Sequence, residues 1–498
     1  MQGLVRVTSV GCVLLLMAGC LGFGGDKRPD YEAVEQSILS VASPVLLQTH
    51  DGERGHYDAS LHQGAWNLEL VGYHNGVDGS GDPQAINGVA PLGYYTELAV
   101  TPTHAYLGRN SADGSYGGFS IVDIRNASAP RLEGEFLGLG SADIEVNDEQ
   151  TLAFLATQRN VAPEIAGSVL GAMDPRAGFP RGTYIVDIEQ KDAPTLDTFV
   201  PLPINGPHTI TWFRHPGDGQ QYLATCTYDL ITDPGTGALL GTVPVTQRVL
   251  LHRVVQESGM PATLVPVGQF SIAEQAPAGK LYLPHDTRVQ VHPSYEGQDR
   301  VLLYVAYWDK GLRILDITDP ASPQLAQIGQ STDFSPSALN NIHLAQPFDE
   351  PVGASDRHIT VTQPEIPQVD GETGQITFFD TTDPTAPEKL GHWTLPPGDQ
   401  GQLGVTGFDF SPHNFDFWDG KVALAHFHAG VWVIDAHDDE NLMEPKTVGF
   451  YMPAKPRADS PARQPNTWGV FVQEVDGEPL LFAIDEATGL YILRYTGP

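Results

Sequence analysis

Short apolar runs that end in a polar residue recur along the chain. Each run has three aliphatic or aromatic residues, usually followed by Asp and then by a turn rich in Asp and Pro. The final residues of these runs, in chain order, are Asp123, Asp187, His252, Asp316, Asp380, Asp435 and Arg494. The first five follow one another at intervals of 64 or 65 residues, and the last two intervals are 55 and 59 residues. Such a near-constant period predicts supersecondary units that stack or close into a ring.

The polar and apolar positions inside each repeat predict short strands. In the fourth repeat, residues 287–291 alternate between polar and apolar, and nearly continuous apolar runs cover 301–307 and 312–317. A fourth run covers 324–328, and Gly, Asp and Pro separate the runs. Such runs are typical of β-strands and turns, and no long stretch has a helical period. Asp316 is placed to cap the turn that follows it. We therefore predict four strands per repeat.

Seven repeats of four strands are typical of a β-propeller, in which four-stranded sheets surround a central channel; a solenoid is the alternative. The last repeat has three predicted strands, 468–472, 479–484 and 489–495, and residues 66–73 form a strand that belongs to no repeat. We expect this N-terminal strand to complete the C-terminal blade, because that closes the ring and covers an exposed edge. The predicted fold class is all-β: a seven-bladed β-propeller of four-stranded blades, closed by an N-terminal strand.

The recurring phrase resembles the LVIVD repeat family of surface-associated bacterial and archaeal proteins. The matching segments are Gly-Phe-Ser-Ile-Val-Asp-Ile at 118–124, Gly-Leu-Arg-Ile-Leu-Asp-Ile at 311–317, Thr-Phe-Phe-Asp at 377–380 and Gly-Val-Trp-Val-Ile-Asp at 430–435. The resemblance covers about residues 66–496, and His252 and Arg494 depart from it at the Asp position. It implies a surface-associated propeller and defines no activity.

The N-terminal residues are typical of an export signal. Arg6 precedes an apolar run over 10–18, which is too short to span a bilayer. Residues 16–20 resemble a lipobox whose Cys20 becomes lipidated, although Met17 stands where Leu is usual; an ordinary signal peptide is the alternative. We predict a lipoprotein signal peptide over 1–19, a tether and irregular lead-in segment over 20–63, and the propeller over 64–498. The predicted location is the outer face of the cell membrane or the cell surface, through the lipid anchor.

The charge balance restricts the partners. The chain has 61 acidic and 27 basic residues, for a net charge of −34. This charge repels phosphate groups, so we expect no nucleic-acid partner and membrane contact only through the anchor. The lysine-poor surface indicates either a salty habitat or an ordinary acidic secreted protein.

With Cys12 and Cys20 set aside, Cys226 has no intrachain disulfide partner and is expected to be buried. We expect a monomer.

Histidines recur at the start of four predicted innermost strands, where a propeller blade meets the channel mouth. They are His208, His285, His343 and His413, and the first, second and fourth follow a Pro. The other repeats have Thr96, Ala142 and Thr467 there, followed by Glu97, Asp143 and Trp468. The turn after the second strand of each blade opens on the same face and carries Asp309, Glu365, His426, His428 and Asp485.

Imidazole and carboxylate groups converging on one mouth suit Zn, Cu, Fe or Mn. The four histidines are the candidate metal ligands, with Asp286, Asp309, His426, His428, Glu97 and Asp143 as secondary candidates at the channel mouth. Two alternatives stay open: the histidines bond a neighbouring blade's backbone, or they form a metal-free ligand site. Oxygen-rich loops at 78–82 and 110–114 suit Ca²⁺, and ordinary turns are the favoured explanation of both.

Two functions follow from these interpretations. The first is a lipid-anchored module that binds a surface protein or a small ligand across its channel face. The second is a metal-dependent enzyme, an oxidoreductase or a hydrolase, with the four histidines as ligands and Asp286 or Asp309 as base. The chain contains no Walker loop, dinucleotide-binding fingerprint or nucleophile elbow.

Overall fold

The computed structural model describes most of the chain from Gly64 onward. The described residues are 64–76, 94–110, 117–138, 143–157, 182–202, 206–228, 230–232, 239–242, 247–274, 276–277, 280–295, 297–322, 324–331, 342–365, 375–395, 411–453, 466–486 and 488–497. The predicted signal peptide and tether with Cys20, the loop at 78–82 and residues 111–114 lie outside them. Within these ranges, no helix has the length and apolar character needed to cross a membrane.

Seven antiparallel sheets, here blades 1 to 7 in chain order, form the fold. Two short strands precede them, β1 (Gly64–Trp66) and β2 (Leu68–His74). Blade 1 consists of β3 (Tyr94–Val100), β4 (His104–Asn110), β5 (Gly117–Asp123) and β6 (Arg131–Gly138). Blade 2 consists of β7 (Asp143–Val146), β8 (Leu152–Thr157), β9 (Gly182–Asp187) and β10 (Thr195–Pro201). Blade 3 consists of β11 (Pro207–Arg214), β12 (Gln221–Thr227), β15 (Arg248–Val255) and β16 (Thr263–Phe270), with an inserted hairpin of β13 (Leu230–Thr232) and β14 (Leu239–Thr242).

The remaining blades repeat this order. Blade 4 consists of β17 (Pro284–Tyr295), β18 (Gln298–Tyr307), β19 (Gly311–Asp316) and β20 (Ala326–Gln330). Blade 5 consists of β21 (Ile342–Pro347), β22 (Ile359–Pro364), β23 (Ile376–Asp380) and β24 (Glu388–Trp393). Blade 6 consists of β25 (Pro412–Trp418), β26 (Lys421–His426), β27 (Gly430–Asp435) and β28 (Lys446–Met452), with the short helix α1 (Asp439–Met443) before β28. Blade 7 has β29 (Thr467–Val475), β30 (Glu478–Asp485) and β31 (Gly489–Tyr495). Two 3₁₀ turns follow β18 and β26, at Trp308–Lys310 and Phe427–Ala429.

The first strand of every blade lines the centre of the ring. Each of them contacts the first strand of the next blade, in the order β3, β7, β11, β17, β21, β25 and β29. Contacts between β29 and β3 join the last blade to the first. The fold is therefore the predicted all-β, seven-bladed propeller of four-stranded antiparallel blades, and not a solenoid.

The N-terminal strand completes blade 7. β2 pairs antiparallel with β31, from Leu68 opposite Tyr495 to His74 opposite Leu490, so the predicted closure is confirmed. An additional strand was not predicted: β1 pairs with β28 and becomes the fifth strand of blade 6. Asn67 turns the chain between these two blades with a φ of 53°, a conformation that Asn tolerates better than most residues. Its Nδ2 also donates to the carbonyl oxygen of Val448 at 2.8 Å.

The recurring aspartates cap the turns that follow the third strands. The Asp316 Oδ1 accepts a hydrogen bond from the backbone N–H of Thr318 at 2.8 Å. Equivalent bonds to the residue two positions later are made by Asp123, Asp187, Asp380 and Asp435. An Asp at this position satisfies backbone donors that no strand pairs with, which explains why the phrase recurs.

Glycines in the fourth strands pack closely against a turn of the next blade. A Cβ atom at Gly329 would lie 1.8 Å from the carbonyl oxygen of Pro384, in the turn before β24. Gly72 and Gly134 meet the carbonyl oxygens of Ala127 and Lys191 in the same way, at 1.9 and 2.0 Å. A side chain would hold the blades apart at these positions, so the close approach requires Gly.

The hydrophobic core lies between adjacent blades. Tyr304 and Ile314 of blade 4 pack with Ile342 and Ala345 of blade 5. Central strands are mostly buried because both faces meet a neighbouring blade, and every residue of β5 and β27 is buried. This explains the nearly continuous apolar runs in the sequence. Cys226 is buried and free, as predicted.

Candidate metal centre at the channel mouth

Each of the four histidines lies at a β-bulge in an innermost strand. In β11, Pro207 pairs with Thr227 and Thr209 pairs with Cys226, so His208 is the extra residue. The same shift occurs at His285 in β17 and at His343 in β21, and in β25 it spans residues 413 and 414. A bulge re-aims the side chain of the extra residue and is common beside functional sites. At three of the four histidines the sequence signal for it is the preceding Pro, which cannot donate to the ladder, whereas His343 follows Ile342.

The bulges bring the four imidazoles into one continuous row. The ring centroids of His208 and His285 are 4.4 Å apart, those of His285 and His343 4.2 Å, and those of His343 and His413 4.1 Å. The Nε2 atoms of His208 and His285 are 3.0 Å apart. His285, His343 and His413 are buried. The structure thus places all four predicted ligand residues together, and their role as ligands stays a prediction.

Glu365 adds a carboxylate to this row from the turn after β22. Its Oε2 lies 3.9 Å from His285 Nε2, and its Oε1 lies 3.8 Å from His413 Nε2. Donor atoms of His285, His343 and Glu365 all lie within 4.8 Å of one another. Two ligand atoms on a tetrahedral metal are roughly 3.4 Å apart when each bond is about 2.1 Å long. The two Glu365 separations are about 0.4–0.5 Å longer than this, so the side chains would have to move closer together around a metal ion.

Hydrogen bonds fix the orientation of two of the imidazoles. His413 Nδ1 lies 2.6 Å from the carbonyl oxygen of Trp468 and can only donate to it, so Nε2 of the neutral ring carries the lone pair. That Nε2 is buried and has no hydrogen-bond partner among the described residues. Gln363 Nε2 lies 2.9 Å from His343 Nδ1 and donates to it, so His343 Nε2 would bind a metal only after the amide turns over and its oxygen accepts the Nδ1 proton. A second partner of this kind is typical of metal-binding histidines.

Burial sets the charge of the site. It lowers the pKa of His413 to about 3 and that of His208 to about 4. The pKa values of His285 and His343 also fall well below the ordinary range, from burial and from the neighbouring imidazoles. Burial raises the pKa of Glu365 to about 8. Near neutral pH the imidazoles are therefore neutral, which is the form that binds metals, and a cation would favour the ionised Glu365.

Aromatic side chains surround the imidazoles. Trp308 stacks on His285 with ring centroids 4.9 Å apart, and Tyr228 lies 5.0 Å from His208. The Trp468 and Phe427 rings lie 4.5 and 5.0 Å from that of His413. These rings exclude water, which strengthens electrostatic interactions inside the site.

Three secondary candidates lie on the wall of one cavity in the channel. Glu97, Asp143 and Asp286 line it together with Arg288. Asp286 Oδ1 accepts from the Thr287 backbone N–H at 2.6 Å and from Arg288 Nη1 at 2.9 Å. These carboxylates therefore do not belong to the group formed by His285, His343 and Glu365.

The other secondary candidates occupy turns at the mouth. Asp309 Oδ2 accepts from the Leu281 backbone N–H at 2.7 Å, and its Oδ1 lies 3.7 Å from Lys280 Nζ. His426 is buried at the end of β26. The side chain of His428 lies outside the described residues. Asp485 Oδ1 accepts from the Thr488 backbone N–H at 2.9 Å.

The chain is similar to one protein family and to several solved structures. The LVIVD repeat family model matches residues 112–137 and 302–329. The chain has no significant match among the curated proteins. A provisionally assigned 6-phosphogluconolactonase from Bacteroides fragilis is 11% identical over 82% of this chain and 94% of its own, with a TM-score of 0.43. A periplasmic gluconolactonase from Pseudomonas aeruginosa is 13% identical over 78% of this chain and 96% of its own, with a TM-score of 0.44. From its sheets and from the two matched segments, the chain is a seven-bladed β-propeller with LVIVD repeats.

Proposed function

We propose that this propeller binds a transition-metal ion at its channel mouth and uses the metal to hold a small ligand. The observation that carries the proposal is the group of buried His285, buried His343 and half-buried Glu365, whose donor atoms lie within 4.8 Å of one another. Nitrogen and carboxylate donors in this combination suit Zn, Cu, Fe or Mn. The unpartnered Nε2 of His413 beside Glu365 supplies a further donor, which fits a metal better than a satisfied hydrogen-bond network.

The residues around the proposed ion have different roles. His285, His343 and Glu365 would hold it, Gln363 orients His343, and the Trp468 carbonyl orients His413. When bound, the metal would supply Lewis acidity to a ligand donor atom. Three protein ligands leave coordination positions for such a ligand, and the surrounding aromatic rings favour one with an apolar part.

A second candidate function is catalysis by the same centre, as an oxidoreductase or a hydrolase. The observation that favours it is Glu365, whose pKa burial raises to about 8, so that its carboxyl group can accept and donate protons near neutral pH while it is not bound to the ion. A metal-free module that binds a surface protein is the third candidate. It is supported by the bond between His413 and the Trp468 carbonyl, which by itself ties neighbouring blades together.

Elemental analysis separates the two metal-dependent candidates from the metal-free module. Purified protein is expected to contain about one transition-metal ion per chain, and His285→Ala and Glu365→Gln are expected to lose it. His392→Ala is the matched control, because His392 is exposed on β24 away from the row. Metal-free wild type that also fails to take up Zn, Cu, Fe or Mn on titration would leave the metal-free binding module.

We also propose that the protein is exported and anchored by a lipid on Cys20, with a monomeric propeller outside the membrane. The lipobox-like residues 16–20 support this proposal. The mass of the mature N-terminus provides the test. A diacylglyceryl-modified Cys20 in the membrane fraction is expected, and Cys20→Ser is expected to release the protein from that fraction. An unmodified N-terminus at another residue would favour an ordinary signal peptide.

A further inference from the structure

Acidic and amide side chains follow the histidine positions farther along the innermost strands. Asp286 follows His285, and Asn414 follows His413. Glu97 and Asp143 come from blades 1 and 2, and Glu145 lies two residues beyond Asp143. All five residues line a cavity of about 130 Å³ that lies inside the ring.

The cavity has an unbalanced negative charge. Glu97, Asp143, Glu145 and Asp286 contribute four carboxyl groups, whereas Arg288 is the single basic side chain among the described residues on its wall. Full ionisation would therefore leave a net charge of −3, four negative groups against one positive. Glu97 and Asp286 are only 8% and 4% exposed, so bulk water does not screen these charges. Buried charge of this kind is costly unless a counter-ion is present.

Arg288 is already engaged on one side of the cavity. Its Nη1 donates to Asp286 Oδ1 at 2.9 Å, and its Nε donates to Gln346 Oε1 at 3.3 Å. Burial and mutual repulsion raise the pKa of Asp143 to about 7, and they raise those of Glu97 and Glu145 further above the ordinary range. The guanidinium therefore does not neutralise the whole group.

Asn414 presents an oxygen that nothing in the described structure satisfies. Its Nδ2 donates to both carboxylate oxygens of Glu97 at 2.8 Å. Its Oδ1 is buried without a hydrogen-bond partner among the described residues, and the whole residue is 3% exposed. An amide oxygen beside carboxylates is an oxygen-only donor set, in contrast to the nitrogen-rich row at the mouth.

We propose that this cavity is a second cation site, which binds Ca²⁺ or Mg²⁺ between Glu97, Glu145 and Asn414. Hard divalent cations prefer oxygen ligands, and Mg²⁺ keeps several of its water molecules. Among the described residues, three convergent donors within 4.8 Å occur at the mouth and not in this cavity. We therefore expect water molecules to complete the coordination of the ion. The proposal is independent of the transition-metal site.

Terbium luminescence gives a direct test, because Trp468 Nε1 donates to Glu97 Oε1 at 2.9 Å. Tb³⁺ bound in the cavity is expected to emit on tryptophan excitation, and Ca²⁺ or Mg²⁺ is expected to quench the emission by competition. Whichever ion competes at the lower concentration is the favoured one. In Trp468→Phe the emission is expected to fall at least two-fold. Emission that neither ion displaces would overturn the proposal.

A stability measurement with Glu145→Gln provides the second arm. In wild type, 1–10 mM Ca²⁺ or Mg²⁺ is expected to raise the unfolding midpoint, because the ion binds the folded state. In Glu145→Gln the affinity for the ion, obtained from the shift of the midpoint with cation concentration, is expected to fall at least ten-fold. Glu474→Gln, exposed on β29, is the matched control. An equal response in Glu145→Gln and wild type contradicts the site.

The two metal sites can be told apart with His285→Ala. This variant is expected to lose the transition metal and to retain the Ca²⁺ or Mg²⁺ response. Loss of both responses in a folded His285→Ala protein would show a single site at the mouth and would overturn the proposal.

Discussion

His413 Nδ1 lies 2.6 Å from the backbone carbonyl oxygen of Trp468, which belongs to the next blade of the ring. This single contact links the architecture to the chemistry. The neighbouring blade fixes the imidazole tautomer and leaves Nε2, 3.8 Å from Glu365 Oε1, as an electron-pair donor. A backbone carbonyl of one blade thus orients a candidate metal-binding side chain of the adjacent blade.

Gln363→Leu is expected to weaken transition-metal binding by about 10–100-fold, because it removes the partner of His343 Nδ1. The fold should be retained, since leucine has a similar volume. Metal titration of the purified variant measures the effect. Gln327→Leu on the exposed side of β20 is the control and should bind like wild type. Unchanged affinity in Gln363→Leu would argue that His343 is not a ligand.

The affinity for the metal is expected to rise with pH up to about 8 and then to level off. Burial raises the pKa of Glu365 to about 8, so below that pH the group is protonated and the ion must displace a proton. Each unit of pH below 8 should therefore reduce the affinity about ten-fold. Titrations between pH 6 and 9 test this dependence. Glu365→Gln should bind more weakly and show a flatter profile.

Without metal, the contribution of Glu365 to the stability of the protein is expected to fall as the pH rises toward 8. The pKa of Glu365 is higher in the folded state, at about 8, than in the unfolded chain, so the folded state binds the proton more tightly. The resulting stabilisation is complete below the unfolded pKa and is lost as the pH passes the folded one. Urea unfolding at pH 5, 7 and 9 measures it. The loss should be smaller in Glu365→Gln, and equal losses in both proteins would assign the effect to other groups.

Gly329→Ala is expected to destabilise the fold by roughly 1–3 kcal/mol, because the added Cβ would lie 1.8 Å from the Pro384 carbonyl oxygen. Gly469→Ala is the matched control, since its Cβ would meet its nearest neighbour at an ordinary 3.5 Å. Chemical denaturation compares the two variants. Equal stabilities would show that the blades can move apart at little cost.

Removing β2 is expected to make the protein associate or aggregate. A chain that begins at residue 75 leaves the edge of β31 unpaired, and unpaired edges pair with other chains. A chain that begins at Leu68 loses β1, the fifth strand of blade 6, and keeps the closure. Size-exclusion chromatography should show a monomer for the second chain and not for the first. A monomeric, folded chain from residue 75 would contradict the role of β2 in closing the ring.

The sequence allowed the ring to be predicted because each blade repeats the same turn chemistry. Asp316 and its equivalents mark the end of the third strand, and the period between them gives the number of blades. Residues 66–73 were recognisable as a strand without a repeat, which gave the closure. The three residues of β1 are too few to show any period, so the fifth strand of blade 6 could not be predicted.

The site was predicted in part. The common position of the four histidines in the repeats placed them at one mouth, and Glu365 was expected on the same face. The register shifts turn the imidazoles toward one another. They depend on how two strands pair, and the sequence of a single strand does not specify that pairing. For the same reason, the division between a histidine layer and a deeper carboxylate layer was not predicted: Asp286 and Glu97 become neighbours on one cavity wall only when blades 1 and 4 face each other across the ring.

The pairing of β2 with β31 also determines when the molecule can be finished. Leu68 and Tyr495 are opposite each other although they lie near the two ends of the chain. During synthesis β2 therefore remains without its partner strand until β31 has left the ribosome. Such distant pairing is slow, because a large loop has to close first. A growing chain consequently cannot close the ring of blades, and formation of blade 7 becomes the final step of folding.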